Sequence, residues 1–252
     1  YYTVKSTSTR SVAFFGTATY SYQRRYMLSG TVRYEGTNKL GRSTSARWLP
    51  TWNISGAWNA HEEKFCQTLE PTLSNFTLKA SYLLTADRGP ADVSNSLVII
   101  QSYNPWRPFT NVKESGLLLK DVENSALTYE KKHELNIGAE IGFIDNRINF
   151  AIDWYKRDNY DLIGLVNSAG TGVKITKFAN VASMKSHGVE LTLSTKNIRT
   201  KDFSWNTDFI FSHAKNEVTD LQSNARVIEM ITGTGFTMAG YPVLSLFSID
   251  FQ

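Results

Sequence analysis

The chain has 252 residues, 41% of them hydrophobic and 13% aromatic, with a formal net charge of +4. Mean hydropathy is −0.29, and no apolar run approaches the ~20 residues of a spanning helix, which excludes a helical membrane protein. The single Cys66 excludes an internal disulfide and a Cys-rich metal site, and the scattered Lys and Arg, with no basic helix, argue against nucleic-acid binding.

Strict alternation marks eight strand candidates in chain order: 11–22, 26–35, 47–59, 76–86, 133–144, 147–157, 186–195 and 203–212. Most have a clean apolar row: Val12, Phe14, Ala18 and Tyr20 on the first, Tyr26, Leu28, Val32 and Tyr34 on the second, Trp52, Ile54 and Trp58 on the third, and Phe76, Leu78, Ala80 and Tyr82 on the fourth. The stretch GAEIGFIDNRINFAIDWYKR predicts a hairpin about Asp145 and Asn146, with Ile148, Phe150, Ile152 and Trp154 on one face and Asn149, Asp153 and Arg157 on the other. The last two strands contribute Val189, Leu191 and Leu193, then Phe203, Trp205, Phe209 and Phe211. Connections mostly alternate between short (23–25, 145–146, 196–202) and long (36–46, 87–132, 158–185), with 60–75 intermediate and room for a helical turn at 61–65. No domain boundary interrupts the series. Tyr1 is not preceded by Met and no signal segment follows, so the chain is expected to begin after processing or inside a longer protein.

Alternation alone allows two architectures. A soluble sandwich would pack its apolar rows together, whereas an outer-membrane barrel would turn them to lipid and its polar rows to a wet lumen. Strands of about 10 to 13 residues, tight turns at one end with long loops at the other, and Tyr and Trp near the strand ends favour the barrel. With eight or nine strands, large loops and no evident pairing of first with last, the expectation is an antiparallel transmembrane β-barrel segment of a larger barrel.

Three stretches carry a family resemblance. RYMLSGTVRYEGTNKLGRSTSARWLPTWNISGAWNAHEEKF holds an aromatic-Leu strand at Tyr26 and Leu28, an Arg-x-Glu-Gly turn ending at Gly36, Leu49-Pro50, Ser55 with Trp58, and Glu63 with Phe65. LTYEKKHELNIGAEIGFIDNRINFAIDWYKRDNYDLI and NVASMKSHGVELTLSTKNI, the latter with Gly188-Val189-Glu190 and followed by Trp205-Asn206, complete the pattern. Together these resemble the barrel of SusC/RagA-type TonB-dependent transporters of Bacteroidetes. The resemblance implies a barrel of roughly 22 strands, plugged by an N-terminal domain, that imports oligosaccharides or peptides with a SusD-like lipoprotein and TonB. Residues 1–252 would then be part of that barrel domain in outer-membrane lipid, with plug, TonB-contacting segment and remaining strands absent, and not an enzyme. A secreted β-sandwich binding module and a non-transporting barrel scaffold remain the alternatives.

No catalytic constellation emerges. His61 lies near Cys66, Gly170-Thr171-Gly172 lacks the spacing of a phosphate loop, and Asp121, Glu123 and Asn124 read as a solvated turn before a Ca²⁺ site. No cofactor or metal is expected. The candidates for a substrate path are the polar-row residues Glu140, Asn149, Asp153, Glu190, Asn206 and Asp208, with Trp106 and Arg107 on the longest loop as ligand candidates.

Overall fold

A computed structural model describes residues 8–40, 43–69, 72–89, 98–104, 115–121, 123–168, 175–222, 237–243 and 245. Ten strands form: β1 (Ser11–Tyr22), β2 (Tyr26–Thr37), β3 (Trp48–Asn59), β4 (Leu73–Asp87), β5 (Ile99–Tyr103), β6 (Gly116–Asp121), β7 (Glu130–Phe143), β8 (Ile148–Ser168), β9 (Ile175–Arg199) and β10 (Ser204–Leu221). Eight make one antiparallel sheet in the order β1-β2-β3-β4-β7-β8-β9-β10, and β5 pairs with β6 apart from it. Every sheet neighbour is thus the next strand of that series in sequence, the up-and-down order of a barrel wall. No described helix is long and apolar enough to cross a membrane, which says nothing of strands.

All eight predicted strands are present, and β1 has its predicted bounds. Their lengths depart from expectation on the long-loop side. β8 and β9 run 21 and 25 residues, so most of the predicted 158–185 loop is strand. Irregularities between Asn159 and Leu162 and between Leu162 and Ile163 shift the register there, with Asp161 at φ 58°. A bulge reverses which residues face which side, so a period-two pattern ends in sequence where the ladder continues in space. The 87–132 excursion likewise contains the β5-β6 hairpin.

The connection between β7 and β8 is longer than the predicted two residues. Phe143 pairs with Ile148, and 144–147 form the turn, with Ile144, Asp145 and Asn146 all in the left-handed region. Arg147 N donates to the carbonyls of Phe143 and Ile144, 3.0 Å each. At the same end, Gln23 and Arg24 take φ of 51° and 59°, joining β1 to β2, and the expected helical turn comes as a 3-10 turn (Ala60–Glu62) followed by α2 (Lys64–Gln67). The first helical turn, α1 (Thr44–Arg47), is capped by Ser43, whose hydroxyl accepts from Ala46 N.

The enclosed core is small and lies at the long-loop end. Leu40, Leu127 and Tyr129 are buried, with Leu49, Ala86, Ile163 and Phe178 packed on them. Asn180 ties that end together: its amide donates to the carbonyls of Thr128 (3.0 Å) and Asp161 (2.6 Å), and its oxygen accepts from Thr128 N (2.9 Å). Elsewhere the sheet is two-sided and open. Phe14, Leu28, Ile54, Ile137, Phe209 and Phe211 are each half exposed or more.

Candidate functional site: the polar face of the sheet

Cross-strand pairing fixes which side chains share a face. One face carries Ser29, Thr31, Asn53, Ser55, Lys79, Ser81, Asn136, Glu140, Asp153, Glu190, Thr192 and Asp208. The other carries the apolar rows. All six polar-row candidates fall on the first face, since Asp153 pairs with Glu190, Asn149 and Asp208 both pair with Ser194, and Asn206 pairs with Lys196. Glu140, Asp153 and Glu190 sit close together, while Asn149, Asn206 and Asp208 lie toward the tight turns.

The centre of this face is an ion triad. Lys79 on β4, Gly138 on β7 and Asp153 on β8 stand in one row. The Lys79 Nζ lies 2.8 Å from Glu140 Oε1 and 3.3 Å from Asp153 Oδ1. Gly138 makes this possible, because a Cβ there would stand 2.2 Å from Asp153 Oδ1 and 2.6 Å from Lys79 Cε. Beside the triad is a depression of about 450 Å³ lined by Ser29, Asn53, Ser55, Ala57, Ser81, Asn136 and Gly138. Small hydroxyl and amide side chains leave room for a ligand and offer both donors and acceptors.

Farther along the same face, Glu134 is nearly buried. It accepts from Lys132 Nζ (2.8 Å) and from Arg157 Nη2 (3.3 Å), and the Arg157 Nε stands 3.0 Å from it as an ion-pair contact. The guanidinium carbon of Arg157 lies 4.0 Å over the Tyr155 ring. That ring in turn covers Gly188, where a Cβ would meet it at 2.6 Å. Trp48 covers Gly36 in the same way, also at 2.6 Å. The glycines of the Arg-x-Glu-Gly and Gly-Val-Glu stretches therefore seat an aromatic ring from the adjoining strand.

The apolar face has aromatics with polar partners at both ends. At the long-loop end Tyr82 and Tyr160 each stack on His133 at 5.7 Å, Trp52 meets Tyr82 edge-on at 5.3 Å, and Tyr34 stacks on Trp48 at 5.0 Å. At the tight-turn end the Tyr26 hydroxyl donates to Glu63 at 2.7 Å, Trp58 Nε1 donates to it at 3.5 Å, and Arg25 pairs with it at 3.3 Å. The Tyr26 hydrogen bond holds the Glu63 carboxyl below its usual range.

The other candidates resolve differently. Trp106 and Arg107 lie outside the described residues, as do Gly170, Thr171 and Gly172. The His61 ring sits 3.2 Å from the Phe76 carbonyl, and Cys66 is buried. Asn124 donates to the Phe178 carbonyl at 2.9 Å and accepts from Ala126 N, a turn role. Sequence reading did not single out Lys79, Glu134 or Arg157 as site residues. The Lys79–Glu140, Lys79–Asp153 and Glu134–Arg157 pairs join residues distant in the chain that meet only through the pairing register.

The sequence model of the family described as TonB dependent receptor-like, beta-barrel, matches residues 1–242. TonB-dependent receptor SusC of Bacteroides thetaiotaomicron is 28% identical over 222 residues, covering 87% of this chain and 22% of that protein. TonB-dependent receptor P39 of Formosa agariphila is 28% identical over 238 residues, 92% of this chain and 22% of its own length. The chain thus spans about a fifth of the length of the curated relatives it matches. Among solved structures, the RagAB peptide transporter superposes over 85% of this chain and 23% of its own, with a TM-score of 0.74 at 24% identity. The outer membrane transporter YddB from Escherichia coli covers 83% of this chain and 25% of its own at a TM-score of 0.56 and 18% identity, a likeness of fold alone. The sheet is a segment of antiparallel β-barrel, and the chain belongs to the TonB-dependent receptor-like β-barrel family.

Proposed function

We propose that this chain forms part of the barrel wall of a TonB-dependent outer-membrane importer of oligosaccharides or peptides, working with a SusD-like surface lipoprotein. Residues 1–252 supply strands of the barrel domain; further strands, a plug and the segment that meets TonB complete it. The observation that carries the reading is the two-faced sheet. Its apolar side spans eight strands, and among the described residues nothing packs on it, as a sandwich would require. Its polar side carries the Lys79–Glu140–Asp153 triad and the adjoining depression. Lipid covers the first and water the second. The names of SusC and of the RagAB peptide transporter support the importer reading, and the latter a peptide as one cargo class. Glu140, Asn149, Asp153, Glu190, Asn206 and Asp208 then line the substrate path, with Trp106 and Arg107 on an outer loop.

Brominated lipids test the orientation. In single-Trp variants of the native protein reconstituted in vesicles, bromines on the acyl chains should quench Trp154 and Trp205 strongly and Trp52 measurably. Protection of all three in folded protein would refute the assignment of faces.

A further inference from the structure

We infer that the outer end of the apolar face binds the phosphate-bearing headgroup of a membrane lipid, centred on Lys156, His187 and Lys215. The inference rests on the reading of that face as the lipid-facing one. From the turn at 144–147 outward, four successive rows of this face on β7 to β10 carry no Asp, Glu, Lys or Arg; the last of them runs Ile137, Trp154, Val189, His213. The next row changes character abruptly. Lys156 on β8 pairs with His187 on β9, which pairs with Lys215 on β10. All three are exposed.

Adjacent strands lie about 4.8 Å apart, so the two lysines start roughly 10 Å from one another with the imidazole between them. Their flexible side chains converge easily on one anion above His187. One row farther out, Lys185 sits between its pairing neighbours Asp158 and Glu217, so those two carboxylates face a cation of their own. Lys131 and Lys132 are engaged by Asp161 and Glu134. Among the described residues Lys156 and Lys215 form no such ion pair.

The level in the membrane is set independently. The cationic row continues through Leu135 to Tyr82, which belongs to the aromatic stack with Trp52 and His133. Aromatic rings with polar partners mark the headgroup level, and lysines at that level attract anionic lipid. Below the row of Trp154, Val189 and His213, the side chains of Ile152, Leu191 and Phe211 give acyl chains an apolar track. An acylated molecule with a phosphate head satisfies both halves of the site at once, which neither a free phosphate nor a plain hydrocarbon does.

The test uses the native protein carrying this sequence, reconstituted in phosphatidylcholine nanodiscs doped with bis-phosphorylated lipid A or with its dephosphorylated form. Retained lipid is counted by native mass spectrometry after mild detergent extraction, and heat-modifiable gel mobility reports the folded barrel. The wild type should retain the phosphorylated lipid several-fold over the dephosphorylated one. Lys156→Ala with Lys215→Ala should abolish that preference in a folded barrel, and Lys156→Arg with Lys215→Arg should keep it. Equal retention of both lipids by the wild type, or an undiminished preference in the double Ala variant, would overturn the inference. So would a double Ala variant whose self-association changes while its lipid does not, which would assign the row to a second copy of the protein. Wild-type protein that folds and stays monomeric in buffer without lipid or detergent would overturn the underlying reading of the face as well.

Discussion

Ile152 and Asp153 are neighbours on β8 that point to opposite faces, so exchanging their chemistry one at a time separates lipid from lumen. Ile152 stands between Ala139 and Leu191 in its row, four residues from Ile148 and four from Lys156. Those eight steps cover about 26 Å along the strand, or about 19 Å in height at a 45° tilt. Ile152 is therefore near mid-bilayer, where an Arg on the lipid face costs about 2–4 kcal/mol. Asp153→Ala removes only a 3.3 Å contact to Lys79, whose side chain is 41% exposed and keeps Glu140 at 2.8 Å. A pair that exposed is worth at most about 1 kcal/mol. Folding into vesicles, titrated with urea and read by heat-modifiable mobility, should show Ile152→Arg as the costlier change by 1 kcal/mol or more. Equal costs, or a larger cost at Asp153, would refute the face assignment and the lipid site that depends on it.

Other substitutions probe parts of the same argument. Gly188→Ala sets a methyl 2.6 Å from the Tyr155 ring and 2.7 Å from the His213 carbonyl, which is backbone and cannot swing away; about 1–3 kcal/mol should be lost in the same urea titration. Asn180→Ala strips partners from the Thr128 and Asp161 backbone, costing about 1–3 kcal/mol and raising amide exchange around 128 and 180 while the tight-turn end stays protected. Glu63 has a depressed carboxyl pKa in the fold, so its contribution is present above the ordinary carboxylate range near 4.3 and vanishes as pH falls through the lower folded value. Trp58 fluorescence should therefore change in acid below that range, and Glu63→Gln should remove the transition without altering the neutral-pH fold. If the proposed function holds, Lys79→Ala should weaken cargo binding by the intact protein more than it weakens barrel stability, compared by cargo binding and urea titration on the same preparations.

Much of this architecture is legible in the sequence because one face of most strands is apolar over four or more successive positions near the tight turns. Strict period two located all eight strands of the sheet and placed Glu140, Asn149, Asp153, Glu190, Asn206 and Asp208 on one side. What escaped is whatever depends on register. The outer third of β8 lies beyond the shifts around Asn159 and Leu162, where the alternation changes phase and reads as loop. The Lys79 triad joins residues from three strands, and nothing local to Lys79 announces Glu140, 61 positions away. The β5-β6 hairpin carries Leu117, Leu118 and Leu119 in succession, a run without alternation to mark it. Conversely, two glycines that sequence reading saw only as motif letters acquire a physical reason once Trp48 and Tyr155 are seen lying across them.

The strict meander also bears on how such a wall assembles. Six of its seven pairings join strands that are consecutive in the chain, so each new ladder closes a comparatively short loop and contact order stays low there. Only the β4-β7 ladder brings Asp87 to Glu130 across the whole excursion that holds β5 and β6. The loop-closure entropy of that step must be met before its fourteen residue pairs form. The wall thus divides kinetically into two halves, β1 to β4 and β7 to β10, each able to zip from its own tight turns. Shortening the excursion should speed their joining without altering either face.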